Sequence, residues 1–226
     1  MTSPDEPGRA GSAIRQAALP VPLRDLHRAV LRRFLDTGTA PSLHWLRQAA
    51  RELGVSDSEL AELEAADLIH LDGRMVAVAY PFSGARTRQQ VELDGFPAVY
   101  AMCAIDALGI PAMAGRDGRI AATDPRDGAP VVVSVKGMGE VGGGRWRWTP
   151  ADAVVVFAQT ADCGSCCAAD CVSWEMVCPH VTFHASRDSA QAYLAARPDI
   201  DGKILDQQAA VESGRRNFGP LLGGPE

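Results

Sequence analysis

Apolar residues recur at helical spacing from Leu23 to Leu35, and this pattern predicts a first long helix. Pro41 and Ser42 open a second helix that runs through Leu53 and is closed by Gly54. Ser56 or Asp57 caps a third, running through Leu68. Ile69 to Val78 then reads as a hairpin turning at Asp72-Gly73. Three helices and a hairpin have the outline of a winged-helix module. Its third helix carries Glu59, Glu62, Glu64 and Asp67, which like-charged phosphates would repel, so the module is expected to act as a scaffold and not to read DNA.

Farther along, Tyr100 to Leu108 reads as a helix start, with Pro97 before it and Gly109 and Pro111 after it. Arg119–Thr123 and Val131–Val135 flank the turn-rich Asp124-Pro125-Arg126-Asp127-Gly128, a hairpin signal. Gly142 to Gly144 and the following Arg145-Trp146-Arg147-Trp148 read as a loop whose tryptophans pack on a sheet. Val154–Gln159 and Cys178–Ala185 read as strands, and Asp188–Ala196 as a helix capped by Ser186 or Asp188 and stopped by Pro198. The expected class is α+β, with a winged-helix-like three-helix module followed by a mixed or antiparallel β-sheet core with flanking helices. The boundaries are a disordered tail over 1–20, the module over 21–82, the core over 83–212 and a frayed C-terminal tail over 213–226.

A chain of 226 residues, 46% hydrophobic, can bury a substantial core in one domain or two small ones. No apolar run is long enough to span a bilayer, and Met1–Ser12 is polar and lacks the apolar centre of a signal peptide, so no membrane association is expected. A net charge of −6 argues against a general nucleic-acid surface. The expected location is the reducing cytoplasm, where the six cysteines remain thiols and suit metal binding or catalysis.

Cys103 and Asp106 stand three residues apart, on one face of the expected helix, so thiol and carboxylate address the same small volume. A thiolate is the form that attacks an electrophile or binds a metal, and Asp106 can accept the thiol proton. The plainer reading makes Cys103 a small buried hydrophobe beside Met102, Ile105 and Leu108, with Asp106 facing solvent. Between Asp162 and Cys171 lie Cys163, Cys166, Cys167 and Cys171, a thiol density that suits a soft ion such as mercury, copper(I) or zinc. A structural zinc or iron-sulfur site lacks the standard spacing, and the plainest alternative is a flexible connection. His180 and His184 lie four apart on an expected strand, roughly 13 Å along it, and are read as packing or hydrogen-bonding residues.

The run Tyr-Ala-Met-Cys-Ala-Ile-Asp-Ala-Leu-Gly-Ile-Pro-Ala-Met, residues 100–113, resembles the active-site helix of the organomercurial (alkylmercury) lyases. Val177-Cys178-Pro179-His180-Val181-Thr182-Phe183-His184-Ala185-Ser186 resembles that family's second signature. The resemblance implies a lyase-like catalytic core in which Cys103 and Cys178 bind the mercury of R–Hg–X. Asp106 takes a thiol proton and later supplies it to the departing carbon. It implies no organic cofactor, Hg(II) held as bound product, an organomercurial substrate, and external thiols or a mercuric reductase as product acceptor. Relatives carry two adjacent cysteines at the second signature, whereas here Cys178 precedes Pro179. The Cys163–Cys171 loop departs further and reads as a thiol relay for mercury. It also keeps open a soft-metal carrier on the same fold, or a member turned to other cysteine chemistry.

Overall fold

The computed structural model describes residues 11–139, 143–161 and 173–223. Four helices come first: α1 (Ser12–Ala18), α2 (Val21–Thr37), α3 (Leu43–Glu52) and α4 (Asp57–Ala65). On α2 the apolar stripe of Leu23, Leu26, Val30, Leu31 and Phe34 is buried, and Gly38 ends the helix at φ 67°, where a Cβ would be strained. Ser42 caps α3 by accepting the Trp45 N–H, and Ser56 and Glu59 cap each other's backbone at the start of α4. That last helix stops at Ala65, short of the expected Leu68, because Asp67 adopts φ 51°.

The strands are β1 (Ile69–Asp72), β2 (Met75–Ala79), β3 (Phe82–Ser83), β4 (Gln89–Leu93), β5 (Val99–Ala101), β6 (Gly118–Thr123), β7 (Pro130–Lys136), β8 (Arg145–Thr149), β9 (Val154–Thr160), β10 (Thr182–His184) and β11 (Ile200–Leu205). Strands β1 to β8 form one sheet in the order β1-β2-β3-β5-β4-β6-β7-β8, and β10-β9-β11 form a second. Every pairing among the described strands is antiparallel, so the sheets are antiparallel and not mixed. Helices α5 (Ala104–Ala114), α6 (Ser173–Met176), α7 (Arg187–Ala195) and α8 (Gln207–Phe218) complete the α+β fold. One apolar cluster runs from α2 through the large sheet to α5 and α8, so the module and the site-bearing half share a core.

Several sequence expectations are corrected. Ser12 to Ala18, placed in a disordered tail, form α1, because buried Gln16 reaches buried His27 Nδ1 at 2.8 Å and so has a polar partner inside the fold. The C-terminal segment from 213 is not frayed as far as Leu221: α8 continues to Phe218, and Gly214, Phe218 and Leu221 are buried. Its glycine is there for close approach, since a Cβ at Gly214 would stand 2.8 Å from Gly109 N and 2.9 Å from Ile105 O on α5. The α5 helix begins at Ala104, leaving Tyr100 and Ala101 in β5, and passes through Gly109 and Pro111 instead of ending before them. Nine of its eleven residues are buried, and that packing overrides local propensity. Arg145–Trp148, expected as a loop, belongs to β8, with Trp148 packed on Phe183 at a ring separation of 5.7 Å. Cys178 to His180 form a 3-10 turn, and the strand expected there starts only at Thr182; Pro179 has no N–H to give a ladder.

The α5–α8 contact makes a measurable demand. Gly214→Ala should lower stability by about 1–3 kcal/mol through overpacking, read by urea denaturation. A gain of up to about 1 kcal/mol, the usual helical effect of replacing glycine by alanine, would mean that the helices are not pressed together there.

Candidate active site

Cys103 sits where β5 passes into α5. The strand end is fixed on two sides, by Thr87 Oγ1 donating to Ala101 O at 2.7 Å and by Met102 N–H donating to Pro81 O at 3.1 Å. Cys103 is the N-cap of α5, and its sulfur accepts the Asp106 N–H at 3.5 Å. The spacing predicted from sequence therefore operates as a cap: thiol and carboxylate share the first turn. Ala104 N–H donates to Val181 O at 3.0 Å, which ties this helix start to the segment after Cys178. The 3-10 turn then brings Cys178 Sγ to 3.9 Å from Asp106 Oδ2. One ligating atom from each of Cys103, Asp106 and Cys178 lies within 4.8 Å of the others, and all three residues are buried. The structure thus joins the two signatures.

Burial governs the protons. Desolvation raises Asp106 from 3.8 to about 7, against the lowering effects of its hydrogen bonds with Cys103 and Cys178 and of the Arg15 charge. Cys103 is pushed well above the ordinary thiol range, first by burial, then by its contact with Cys178 and the Asp106 charge. The helix N-terminus favours a thiolate at this position, but desolvation wins. Hydrogen bonding with Cys103 pulls Cys178 down, while burial and Asp106 push it up, with a net rise. At neutral pH two protonated thiols therefore surround a carboxyl group near its midpoint.

Sequence reasoning missed a shell of residues around this cluster. Tyr80 is 2% exposed, and its hydroxyl bears on the Cys178 thiol, whose pKa it acts to lower. Burial raises its pKa above the ordinary phenol value, and the charges of Cys178, Asp67 and Asp106 add to that rise, so it is a neutral donor facing the cluster. Arg15 of α1 stands over the Tyr80 ring at 6.0 Å and pairs with Asp67 at 3.1 Å. Asp67 also meets His70 Nε2 at 2.7 Å and accepts the Ser173 hydroxyl at 2.6 Å. Arg15 went unnoticed because it lay in an expected tail. Asp67 was hidden among the carboxylates of an acidic helix, and no local pattern marks a non-glycine residue that takes positive φ.

None of the other candidates among the described residues joins the cluster. Cys163, Cys166, Cys167 and Cys171 lie outside the described residues. His180 stands in the turn and His184 on β10. Buried His184 has Nδ1 3.1 Å from Asp124 Oδ1 and Nε2 3.0 Å from Thr182 Oγ1, as expected of a hydrogen-bonding histidine. Desolvation lowers its pKa although Asp124 opposes this, so the ring is neutral and bridges the two sheets. Of the three clustered residues, Cys178 opens onto a cavity of about 350 Å³ that is also lined by Arg86, Arg88, Met102, Pro179 and Thr182. A larger depression of about 620 Å³, with His44, Arg47, Arg51 and Arg74 on its walls, lies on the N-terminal module and contains neither thiol nor carboxylate. No helix among the described residues is long and apolar enough to cross a membrane.

An alkylmercury lyase from Staphylococcus epidermidis is 28% identical over 204 residues, spanning 83% of this chain and 88% of that protein. A crystal structure of the mercury-bound form of MerB2 superposes with a TM-score of 0.71 at 19% identity, covering 93% of this chain and 96% of the other, which shows a common fold. The alkylmercury lyase family (MerB) itself matches residues 82–219, a stretch that begins with β3, holds Cys103, Asp106 and Cys178, and ends just past α8. The chain belongs to the alkylmercury lyase family.

Proposed function

We propose that the protein cleaves the carbon–mercury bond of organomercurials by protonolysis, giving a hydrocarbon and Hg(II). The observation that carries this reading is the buried contact of Asp106 with two thiols, at atom separations within 4.8 Å. Mercury is a soft acceptor and thiolates are soft donors, so both sulfurs suit one mercury atom. Raising sulfur coordination pushes electron density onto the bound carbon, which then needs only a proton to leave. Asp106 in its carboxylate form accepts a thiol proton, the new thiolate displaces X from R–Hg–X, and the second sulfur adds to mercury. Two thiols bring two protons: one leaves with X, and Asp106 carries the other to carbon. A carboxyl group near its midpoint at neutral pH is suited to both steps, as acceptor and then donor.

Hg(II) then stays between two thiolates until external thiols or a mercuric reductase remove it, and no organic cofactor takes part. We read the winged-helix-like N-terminal module as a scaffold: α1 delivers Arg15 and the end of α4 delivers Asp67 to the edge of the site. A cytoplasmic setting keeps both thiols reduced. Cys163, Cys166, Cys167 and Cys171 serve as a relay that takes mercury outward.

Purified, reduced protein should release benzene from phenylmercury well beyond one equivalent with excess thiol, measured by headspace gas chromatography. Cys103→Ser and Cys178→Ser should each abolish turnover, and benzene from either variant at the wild-type rate would refute the two-thiolate mechanism. Asp106→Asn should still bind mercury yet lower single-turnover cleavage at least about a hundredfold, the span of a lost acid–base group. Replacing the four loop cysteines together should slow mercury release more than bond cleavage; equal loss of both would remove the relay.

The Asp106 shift also links stability to pH. Its folded pKa of about 7 lies above the ordinary 3.8, so the folded state holds the proton more tightly. The resulting stability is fully present below about 4 and is lost as pH rises to about 7. Asp106→Asn, which cannot ionise, should gain on the wild type across that window in denaturant melts. Parallel curves for the two proteins would mean that Asp106 is not a buried, raised carboxyl group.

A further inference from the structure

The cavity beside Cys178 carries two arginines in a chain whose net charge is −6. Arg86 and Arg88 are both exposed, and neither is paired with a carboxylate among the described residues. Arg86 stands over the Tyr100 ring at 5.7 Å, an arrangement that leaves its guanidinium edge open to solvent. The link between β3 and β4 that bears them is held in place. Ser83 Oγ donates to Ala85 O at 2.9 Å, and Thr87 Oγ1 accepts the Gln89 N–H at 3.2 Å while donating to Ala101 O, two residues before Cys103. The backbone that carries the two cations is therefore fixed relative to the thiols. Thr182 lines the same cavity, and its hydroxyl is held to His184.

Cys103 and Asp106 do not line this cavity, and Cys178 does. A reagent that removes mercury from between the thiolates must therefore arrive on the Cys178 side. Its reacting atom is a thiolate, and whatever else it carries meets a lip of two guanidinium groups. The guanidinium fork matches a carboxylate in shape and charge. A volume of about 350 Å³ suits a small organic thiol and is far too small for a folded domain.

We propose that the Arg86/Arg88 cavity is a thiol-exchange subsite that recognises low-molecular-mass thiols bearing carboxylate groups. The proposal rests on the lyase reading for its physiological meaning. The carboxylates dock on the two arginines and aim the thiolate at mercury. A mercury–sulfur bond to the incoming thiol forms as the bond to Cys178 breaks, and Cys178 leaves as a thiolate that takes up a proton. A second thiolate then displaces Cys103 in the same way. Oxidation states do not change.

The test uses the full chain loaded with one equivalent of Hg(II), mixed with mercaptosuccinate, mercaptoethanol or cysteamine at equal thiolate concentration. Mercury retained after rapid desalting is the readout. Mercaptosuccinate should extract mercury about fivefold to tenfold faster than cysteamine, the range that two partly exposed charge-assisted contacts supply, and added salt should shrink the difference. The double variant Arg86→Gln/Arg88→Gln should bring the ratio close to one. Arg88→Glu should favour cysteamine, a gain that misfolding cannot produce. A wild-type ratio near one, or a ratio unchanged in the double variant, would overturn the proposal. The same variants are tested for turnover of phenylmercury and of its carboxylate derivative, 4-(chloromercuri)benzoate. A loss confined to the derivative, with the thiol ratio intact, would assign the arginines to the organic group and also overturn it. Charge-selective extraction from a protein that never releases benzene would refute the lyase reading and leave the subsite standing.

Discussion

A carboxyl group held out of water between two thiols is the constraint on which the rest of this structure depends. Asp106 is 3% exposed, and the nearest cation, Arg15, acts on it from a distance while pairing directly with Asp67. Direct pairing with an arginine would have driven the carboxyl well below neutrality and made it a poor acid. Leaving it in apolar surroundings with only weak sulfur partners would have kept it permanently protonated. The fold takes the intermediate course, in which desolvation dominates and two thiols and a remote cation partly offset it. A group near its midpoint at neutral pH can both accept and return a proton.

Holding that balance requires the two cysteine-bearing segments to be fixed independently of the groups they carry. The Ala104 to Val181 hydrogen bond joins them directly, and the glycine contact between α5 and α8 sets the helix from behind. Asp67 joins α1, α4, β1 and the start of α6 through Arg15, His70 and Ser173, so the N-terminal module is bolted to the segment that leads into Cys178. The positive φ at Asp67 is a local strain that these three partners offset. On the other flank, Asp124 and His184 join the large sheet to β10, directly behind the turn.

What could be read in the sequence follows the range of the interactions involved. Caps at Ser42, Ser56 and Ser186 and the turns at Gly73 and Gly128 are decided within a few residues, and they stand where local chemistry puts them. The Cys103–Asp106 pair was legible for the same reason, because one helical turn fixes it. Nothing local connects Cys178 to that pair; only the resemblance of two separated signatures to one family did so. The misplaced elements are those decided by packing at long range. Pro111 and Gly109 look like helix terminators until α8 covers them, and Gly214 looks like a tail residue until it is seen against α5. Pro179 was a local warning that Cys178 could not sit in a regular strand, and its missing N–H carries more weight than the alternating apolar residues beyond it.

Cys103, Asp106 and Cys178 are all buried, yet only Cys178 among them lines a cavity, and on the proposed lyase reading this gives the reaction a direction. Cys103 is the buried cap of a buried helix, with Asp106 in the same first turn, while Cys178 stands in the 3-10 turn and lines the cavity that carries the arginines. On the proposed lyase reading, a mercurial entering there would meet Cys178 first, and mercury leaving for an external thiol would part from Cys178 first. Asp106, 3% exposed, would then hold its proton away from bulk water. Pro179 stiffens the turn that carries Cys178.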